Sequence, residues 1–164
     1  MKRLILVRHA KSSWKNAALA DSERPLSGRG KRDAPRMGAR LAGLGLLPDI
    51  ILASPARRAR KTASLLTGEI PAAAGRILVD PALYEASAGV LLERVRALDE
   101  TWQHVMLVGH NPGLTDLARH FSSEIIGMPT CAIAEFTFDV KRWSGVGRAK
   151  PARSTFDSPK QLSG

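Results

Sequence analysis

Leu4-Ile5-Leu6-Val7-Arg8-His9-Ala10 is a run of four apolar residues that ends in an arginine and a histidine. A short apolar run of this kind reads as a strand buried on both faces, and a first strand is predicted over 3–8. In an open, doubly wound α/β sheet, ligands bind in the crevice beyond the carboxyl ends of the parallel strands. Arg8 and His9 stand at that edge. The same residues fit a second reading, a charged strand end that simply meets solvent. The run by itself does not choose between the two.

The neighbouring sequence supplies more elements of the same kind. Residues 10–22 are polar and irregular, with Trp14 the one large apolar side chain. Arg24-Pro25-Leu26-Ser27-Gly28-Arg29-Gly30 is punctuated as a loop by its proline and two glycines, and Ser27 is placed to cap a helix. Ala34, Met37, Leu41 and Leu44 recur at helical spacing, so a helix is expected over 29–44, with Gly45 as its stop. Pro48-Asp49 opens a strand over 50–53 that ends at Ser54-Pro55. Pro55 suits the first turn of a helix over 56–66. A third strand is expected over 77–79, a loop or broken helix over 80–85, and a helix over 90–100 with Leu91, Val95 and Leu98 as its stripe. A fourth strand over 104–108 runs into Gly109-His110-Asn111-Pro112-Gly113, followed by a helix over 114–121. Residues 132–138 alternate as a fifth strand, Trp143 lies in a turn, and 154–156 add an edge strand. Strand–helix alternation without repeats or an evident linker predicts one α/β domain over 1–164 with a mainly parallel sheet.

Composition narrows the function. The chain has 164 residues, 44% of them apolar, and a formal net charge of +10. Such charge suits a nucleic acid, an anionic membrane surface or an anionic substrate. The cations are spread out, with Arg57-Arg58-Ala59-Arg60-Lys61 the one tight cluster. Aromatics are only 5%, and no nucleic-acid-binding signature stands out, so nucleic acid is not the expected partner. Cys131 is the only cysteine, which rules out an intramolecular disulfide and a cysteine-based zinc site. The apolar run after Met1-Lys2-Arg3 is too short for a signal peptide, and nothing approaches a transmembrane helix. A soluble cytoplasmic protein with no membrane partner is the default expectation.

Three predicted strands end alike. The first ends at Arg8-His9, the second at Ser54 with Arg57 and Arg58 one turn on, the fourth at His110. If these strands are parallel neighbours, two imidazoles and at least two guanidiniums share a pocket. That collection of cations is costly without an anion, and a phosphoryl group matches guanidinium forks bidentately. Helix N-termini after Ser54 and Asn111 would add amide donors. Taken singly, each residue has a plainer reading: Arg8 a charge that reaches water, His9 and His110 half-buried histidines, Arg57 to Lys61 a solvated helix face.

Arg8-His9-Ala10-Lys11-Ser12-Ser13-Trp14 resembles the Arg-His-Gly signature of the histidine phosphatase superfamily, with its phosphoglycerate-mutase-like fold. Arg24 to Gly30 resembles that family's Arg-Pro-Leu-Thr…Gly loop, Ser54 to Thr62 its Ser-Pro-x-x-Arg-Ala-x-x-Thr helix start, and Gly109-His110-Asn111-Pro112 its second-histidine motif. The four occur in the family's order. The wording of the first and last motifs, and Ser154 to Lys160, are most similar to the small phosphohistidine phosphatase branch. The resemblance implies a three-layer α/β/α sandwich whose mainly parallel sheet has an antiparallel edge. It implies that His9 is the nucleophile and is transiently phosphorylated. Arg8 and Arg58 would bind the phosphoryl oxygens, with Arg58 favoured over Arg57 because it precedes Ala59 at the motif's spacing. His110 would contact the phosphoryl group, and Asn111 and Ser12 would join the substrate-binding set. Leu83-Tyr84-Glu85 resembles the Leu-x-Glu of members with a glutamate acid, so Glu85 is the candidate proton donor or, equally, a salt-bridge partner for the arginines. No cofactor and no metal are implied.

Three positions depart from the pattern. Ala10 replaces glycine, restricting the backbone and threatening to narrow the pocket. Lys11 stands where many members have glutamate. Asn16 lies one position late for the asparagine of mutases. The chain is too short for the insertions that cap mutase sites, which favours an open pocket. The expected activity is a metal-independent phosphatase acting on phosphohistidine, borne by a signalling protein, or on another phosphomonoester. The alternatives are a mutase or small-metabolite phosphatase on the same fold, and a phosphate-binding module without turnover.

Overall fold

The computed structural model describes residues 1–163 of the chain. Six strands form one sheet: β1 (Lys2–Arg8), β2 (Ile50–Ala53), β3 (Ile77–Val79), β4 (His104–Gly109), β5 (Ile133–Phe138) and β6 (Arg153–Asp157). The helices are α1 (Gly28–Gly43), α2 (Arg57–Gly68), α3 (Ala88–Arg96), α4 (Gly113–Phe121) and α5 (Pro159–Ser163). Short 3₁₀ turns at Asp21–Glu23 and Pro81–Leu83 flank the site described below. The strand order is β3-β2-β4-β1-β5-β6. β3, β2, β4 and β1 are mutually parallel, while β5 runs antiparallel to both β1 and β6. This is the expected mainly parallel sheet with an antiparallel edge.

The apolar run of β1 is unbroken because both faces of the sheet are covered. Leu4 and Leu6 pack with α3 and α4, through Leu91, Val95, Leu114 and Leu117. Ile5 and Val7 pack with α1 and α2, through Ala34, Met37, Ala63 and Leu66. Alternation along one strand thus feeds two cores and yields three layers. Each such aliphatic side chain contributes about 1.5–3 kcal/mol by leaving water.

Ser27 caps α1 as expected, its Oγ accepting from the Gly30 amide at 3.2 Å. The chain leaves the helix through Gly45 at φ +70°, a conformation glycine adopts without strain. Gly30 has a different reason: a Cβ there would lie 2.2 Å from the Lys11 carbonyl oxygen. The start of α1 is pressed against the loop that follows β1, and a side chain would push the two apart.

Several boundaries differ from expectation. Pro55 precedes the N-cap Ala56 rather than entering the first turn of α2, because Ser54 Oγ takes the Ala56 amide at 3.3 Å. α3 starts at Ala88, capped by Ser87 through the Val90 amide, and stops at Arg96. Leu98 still reaches the core from beyond the helix end. β5 is buried on both faces, Glu135 and Thr137 included. It lies inside the sheet between β1 and β6, so its polar alternation does not mark a solvated face. Among the described residues no helix is long and apolar enough to cross a membrane.

Register places the chemistry. Arg8 pairs with Gly109 across β1 and β4, and Ala53 pairs with Val108 across β2 and β4. The next residues, His9, His110 and Ser54, therefore emerge side by side at the carboxyl edge.

Candidate active site

His9 is 8% exposed at the end of β1. Its amide donates to the Gly109 carbonyl at 3.0 Å. The ring Nδ1 lies 2.8 Å from the Ala10 carbonyl oxygen. A carbonyl only accepts, so Nδ1 carries the proton and Nε2 presents a lone pair. The Ala10 amide is held by Thr62 Oγ1 at 2.9 Å, and that hydroxyl donates to the Arg58 carbonyl at 2.7 Å. The threonine of the α2 motif thus ties the loop after His9 to the helix that bears Arg58. Ala10 is not in the left-handed region and packs in the core with Val7 and Ala59. Its methyl is accommodated there, so the expected strain and narrowing do not arise.

Arg58 is the hub. Its Nε donates to His9 Nε2 at 3.4 Å, and its Nη2 reaches His110 Nδ1 at 3.4 Å. Guanidinium only donates, so His110 Nδ1 accepts and its Nε2–H points to Ser54 Oγ, 2.7 Å away. The two imidazole centroids are 5.1 Å apart. Arg57 is exposed while Arg58 is buried, and the motif's spacing thus selects the arginine that faces the histidines.

Asp21 and Tyr84 complete this side of the site, and neither was singled out from the sequence. Arg58 donates from Nη1 to the Asp21 carbonyl at 2.7 Å and from Nη2 to Asp21 Oδ2 at 3.0 Å. Tyr84 Oη donates to the same carboxylate at 2.6 Å, and its ring stands edge-on to His110 at 5.5 Å. Tyr84's hydroxyl, and after it the Arg58 and Arg24 guanidiniums, hold Asp21 down to about 2. The available signal was the pair Asp21 and Glu23, the carboxylates just before the Arg24-Pro25-Leu26 loop in a cation-rich neighbourhood.

Arg8 differs from Arg58. Its Nη1 donates to the Met128 carbonyl at 3.0 Å, while its Nε is buried without an acceptor. It has no carboxylate partner among the described residues. A buried donor left unmet costs about 1–3 kcal/mol, a penalty that an anion in the site would relieve.

The remaining candidates serve the frame. Asn111 donates from Nδ2 to the Met128 carbonyl at 2.9 Å, and its Oδ1 accepts from the Thr115 amide and hydroxyl at 3.1 and 2.9 Å. It shares the Met128 carbonyl with Arg8 and caps α4. Ser12 Oγ accepts from Arg24 Nη2. Arg24 also stacks on Trp14, 3.1 Å from the ring centroid, and pairs with Asp21 at 3.2 Å. Neither Ser12 nor Asn111 hydrogen-bonds to His9, Arg8, Arg58 or His110. Glu85 is exposed at φ +54° and makes no hydrogen bond or ion pair among the described residues, so no arginine takes it as a partner. Lys11 is exposed, and Asn16 Oδ1 closes its own turn on the Ala18 amide at 3.1 Å. Among the described residues no group of three or more His, Cys, Asp or Glu could hold a metal ion.

Burial, reinforced by the surrounding cations, pushes His9 down to about 3 and His110 to about 4. Both are neutral at pH 7. The unfolded chain binds protons near the ordinary histidine value of about 6.5, which the folded chain refuses. This contribution to stability is therefore complete above about pH 6.5 and declines below it, by about 1.4 kcal/mol per pH unit per histidine, until the folded values are reached. Side-chain ¹⁵N spectra at pH 5 should show His9 neutral and protonated on Nδ1. A histidine that titrates near 6.5 at this position would refute the assignment.

The sequence model of the histidine phosphatase superfamily (branch 1) matches residues 4–112. An uncharacterised chloroplast protein of Arabidopsis thaliana is 33% identical over 141 residues, covering 81% of this chain and 65% of that protein, so the chain spans about two thirds of that relative. The solved structure of protein histidine phosphatase SixA complexed with tungstate is 26% identical with a TM-score of 0.79, covering 98% of this chain and 99% of that one. A chain from Nakamurella multipartitia, proposed to be a phosphohistidine phosphatase, shares the fold at a TM-score of 0.83 and 23% identity, with 96% of each chain covered.

Proposed function

The chain belongs to the histidine phosphatase superfamily, and from that premise we propose that it hydrolyses phosphohistidine borne on a protein, through a transient phosphoryl group on His9. The observation that carries the reading is the unprotonated Nε2 of His9, with Arg58 against it and Arg8 left without an anionic partner. In the first step Nε2 bonds to phosphorus in line with the leaving nitrogen. A substrate imidazole protonated at its other nitrogen departs neutral, taking the bonding pair. His9 is then a phosphorylated, cationic ring whose Nδ1–H stays on the Ala10 carbonyl. In the second step water attacks phosphorus, His9 leaves neutral in its starting tautomer, and the protons of water depart with phosphate. One tautomer thus serves both as nucleophile and as leaving group. Arg8 and Arg58 stabilise charge on the transferring group, the role assigned to fixed cations in a metal-independent reaction, and the neutral His110 lies against it. For an oxygen leaving group, Glu85 remains the proposed proton donor.

The substrate class is supported by likeness to the phosphohistidine phosphatase SixA along nearly the whole chain. The two chains cover 98% and 99% of each other, so neither carries a long insertion that the other lacks. Hydrolysis rates on a phosphohistidine-bearing protein domain, 3-phosphoglycerate and sugar phosphates, with chelator present, test it. We expect kcat/KM on the phosphoprotein to exceed that on the metabolites by at least about 100-fold. The reverse order would make the protein a small-metabolite phosphatase.

A further inference from the structure

A groove of about 590 Å³ is lined by Glu23, Pro25, Leu26, Lys31, Arg57, Arg60, Lys61 and Ser64, and its four cations are unexplained by the catalytic chemistry. Arg57, Arg60 and Lys61 lie on one face of α2 at i, i+3 and i+4 spacing, opposite the buried face of Arg58, Thr62 and Leu66. α2 contains no acidic residue. Like charges at this spacing repel, and cations near a helix start oppose the macrodipole. Lys31 adds a fourth cation from the early turns of α1, which also lacks an acidic residue in its first turn. None of the four makes an ion pair among the described residues. The arrangement weakens both helices while concentrating free positive charge on one surface.

The groove adjoins the site through shared elements. Glu23 belongs to the turn whose Asp21 holds Arg58, and Arg57 is the neighbour of Arg58 in the first turn of α2. We propose that this groove docks an extended acidic segment of the phosphorylated protein substrate. It is too large for a single phosphate to fill. Its lining mixes cations with Pro25, Leu26 and one carboxylate, which suits a peptide of aspartate or glutamate interspersed with apolar residues. A uniformly anionic phosphodiester chain would meet Glu23 and find no aromatic platform for its bases among the lining residues. Charge complementarity of this kind sets association rate and partner choice.

The proposal rests on the phosphatase reading for the identity of its partner, but its test is read without turnover. Fluorescence anisotropy compares a labelled peptide of aspartates around one leucine with its asparagine counterpart. The intact protein should bind the aspartate peptide about tenfold more tightly. The double variant Lys31→Glu/Lys61→Glu should abolish that preference while hydrolysing an aryl phosphate within about twofold of the unmodified protein. Glutamate near a helix start is favourable, so the variant folds. Equal binding of the two peptides overturns the proposal. So does a preference that survives in the variant, or a single-stranded oligonucleotide that displaces the aspartate peptide at lower concentration than the unlabelled peptide itself. Failure of the unmodified protein to hydrolyse aryl phosphate would overturn the phosphatase reading and leave the docking result standing.

Discussion

His9→Ala is expected to lower hydrolysis of an aryl phosphate by at least about 10⁴-fold, with chelator present throughout. The size is that of losing the group proposed to form the covalent bond to phosphorus. His110 keeps its Nε2–H on Ser54 Oγ and its Nδ1 on Arg58, and His110→Ala run beside His9→Ala shows whether the second imidazole can substitute. The Cys131 thiol is no substitute, since burial pushes it up to about 12. Rapid quench with labelled substrate should trap phosphate on the unmodified protein, acid-labile and base-stable as a phosphoramidate is. The alanine variant should trap none. Circular dichroism separates this from unfolding: the ring donates one hydrogen bond, to Ala10, and its loss is expected to cost about 1–3 kcal/mol of stability. Undiminished activity in His9→Ala would remove His9 from the chemistry altogether.

Arg58→Ala should cost about 10³-fold in kcat/KM, and Arg58→Lys should recover little of it. One guanidinium contacts His9, His110 and both oxygens of Asp21 that face it. A lysine ammonium is a point charge on a flexible stem and cannot hold that planar set. The loss should fall on kcat more than on KM, because the charge that Arg58 stabilises is greatest in transfer. Asp21→Asn is the informative comparison. Asp21 keeps its backbone carbonyl 2.7 Å from Arg58 Nη1, so the guanidinium stays anchored and the variant should lose less than about tenfold. Its exposed carboxylate contributes little to stability. A loss in Asp21→Asn as large as in Arg58→Ala would mean that the carboxylate itself, and not the guanidinium, is the group the reaction needs.

Much of the site was legible because its members sit where strands end. His9 follows a four-residue apolar run, His110 follows another, and Arg58 follows a strand by one helical turn. Such ends are visible in sequence as abrupt changes from apolar to charged. Asp21 and Tyr84 gave no such signal. They lie in irregular segments, 63 residues apart, and meet through one hydrogen bond. Asn111 and Ser12 show the converse. Both belong to recognisable motifs, yet their polar atoms are used by Thr115, Met128 and Arg24. A motif names the residues that belong together without saying which of them faces the substrate. The alternation of β5 located a strand, but a period of two says only which residues share a face, and burial of that face depends on what is packed over it.

The order of the elements, the two-sided burial of β1 and the candidacy of Arg8, His9, His110 and the Arg57–Arg58 pair follow from the sequence, because apolar periodicity and strand-end charges are local properties of the chain; the preference for Arg58 comes from the resemblance to the family's motif. The protonation states do not follow from the sequence. His9 is neutral because burial removes the water that would stabilise its charge, and because register brings His110 and Arg58 against it. Which nitrogen carries the proton is set by the Ala10 carbonyl, and where Arg58 points is set by Asp21. Those partners are chosen by tertiary contact between segments far apart in the chain, and only the folded structure decides them.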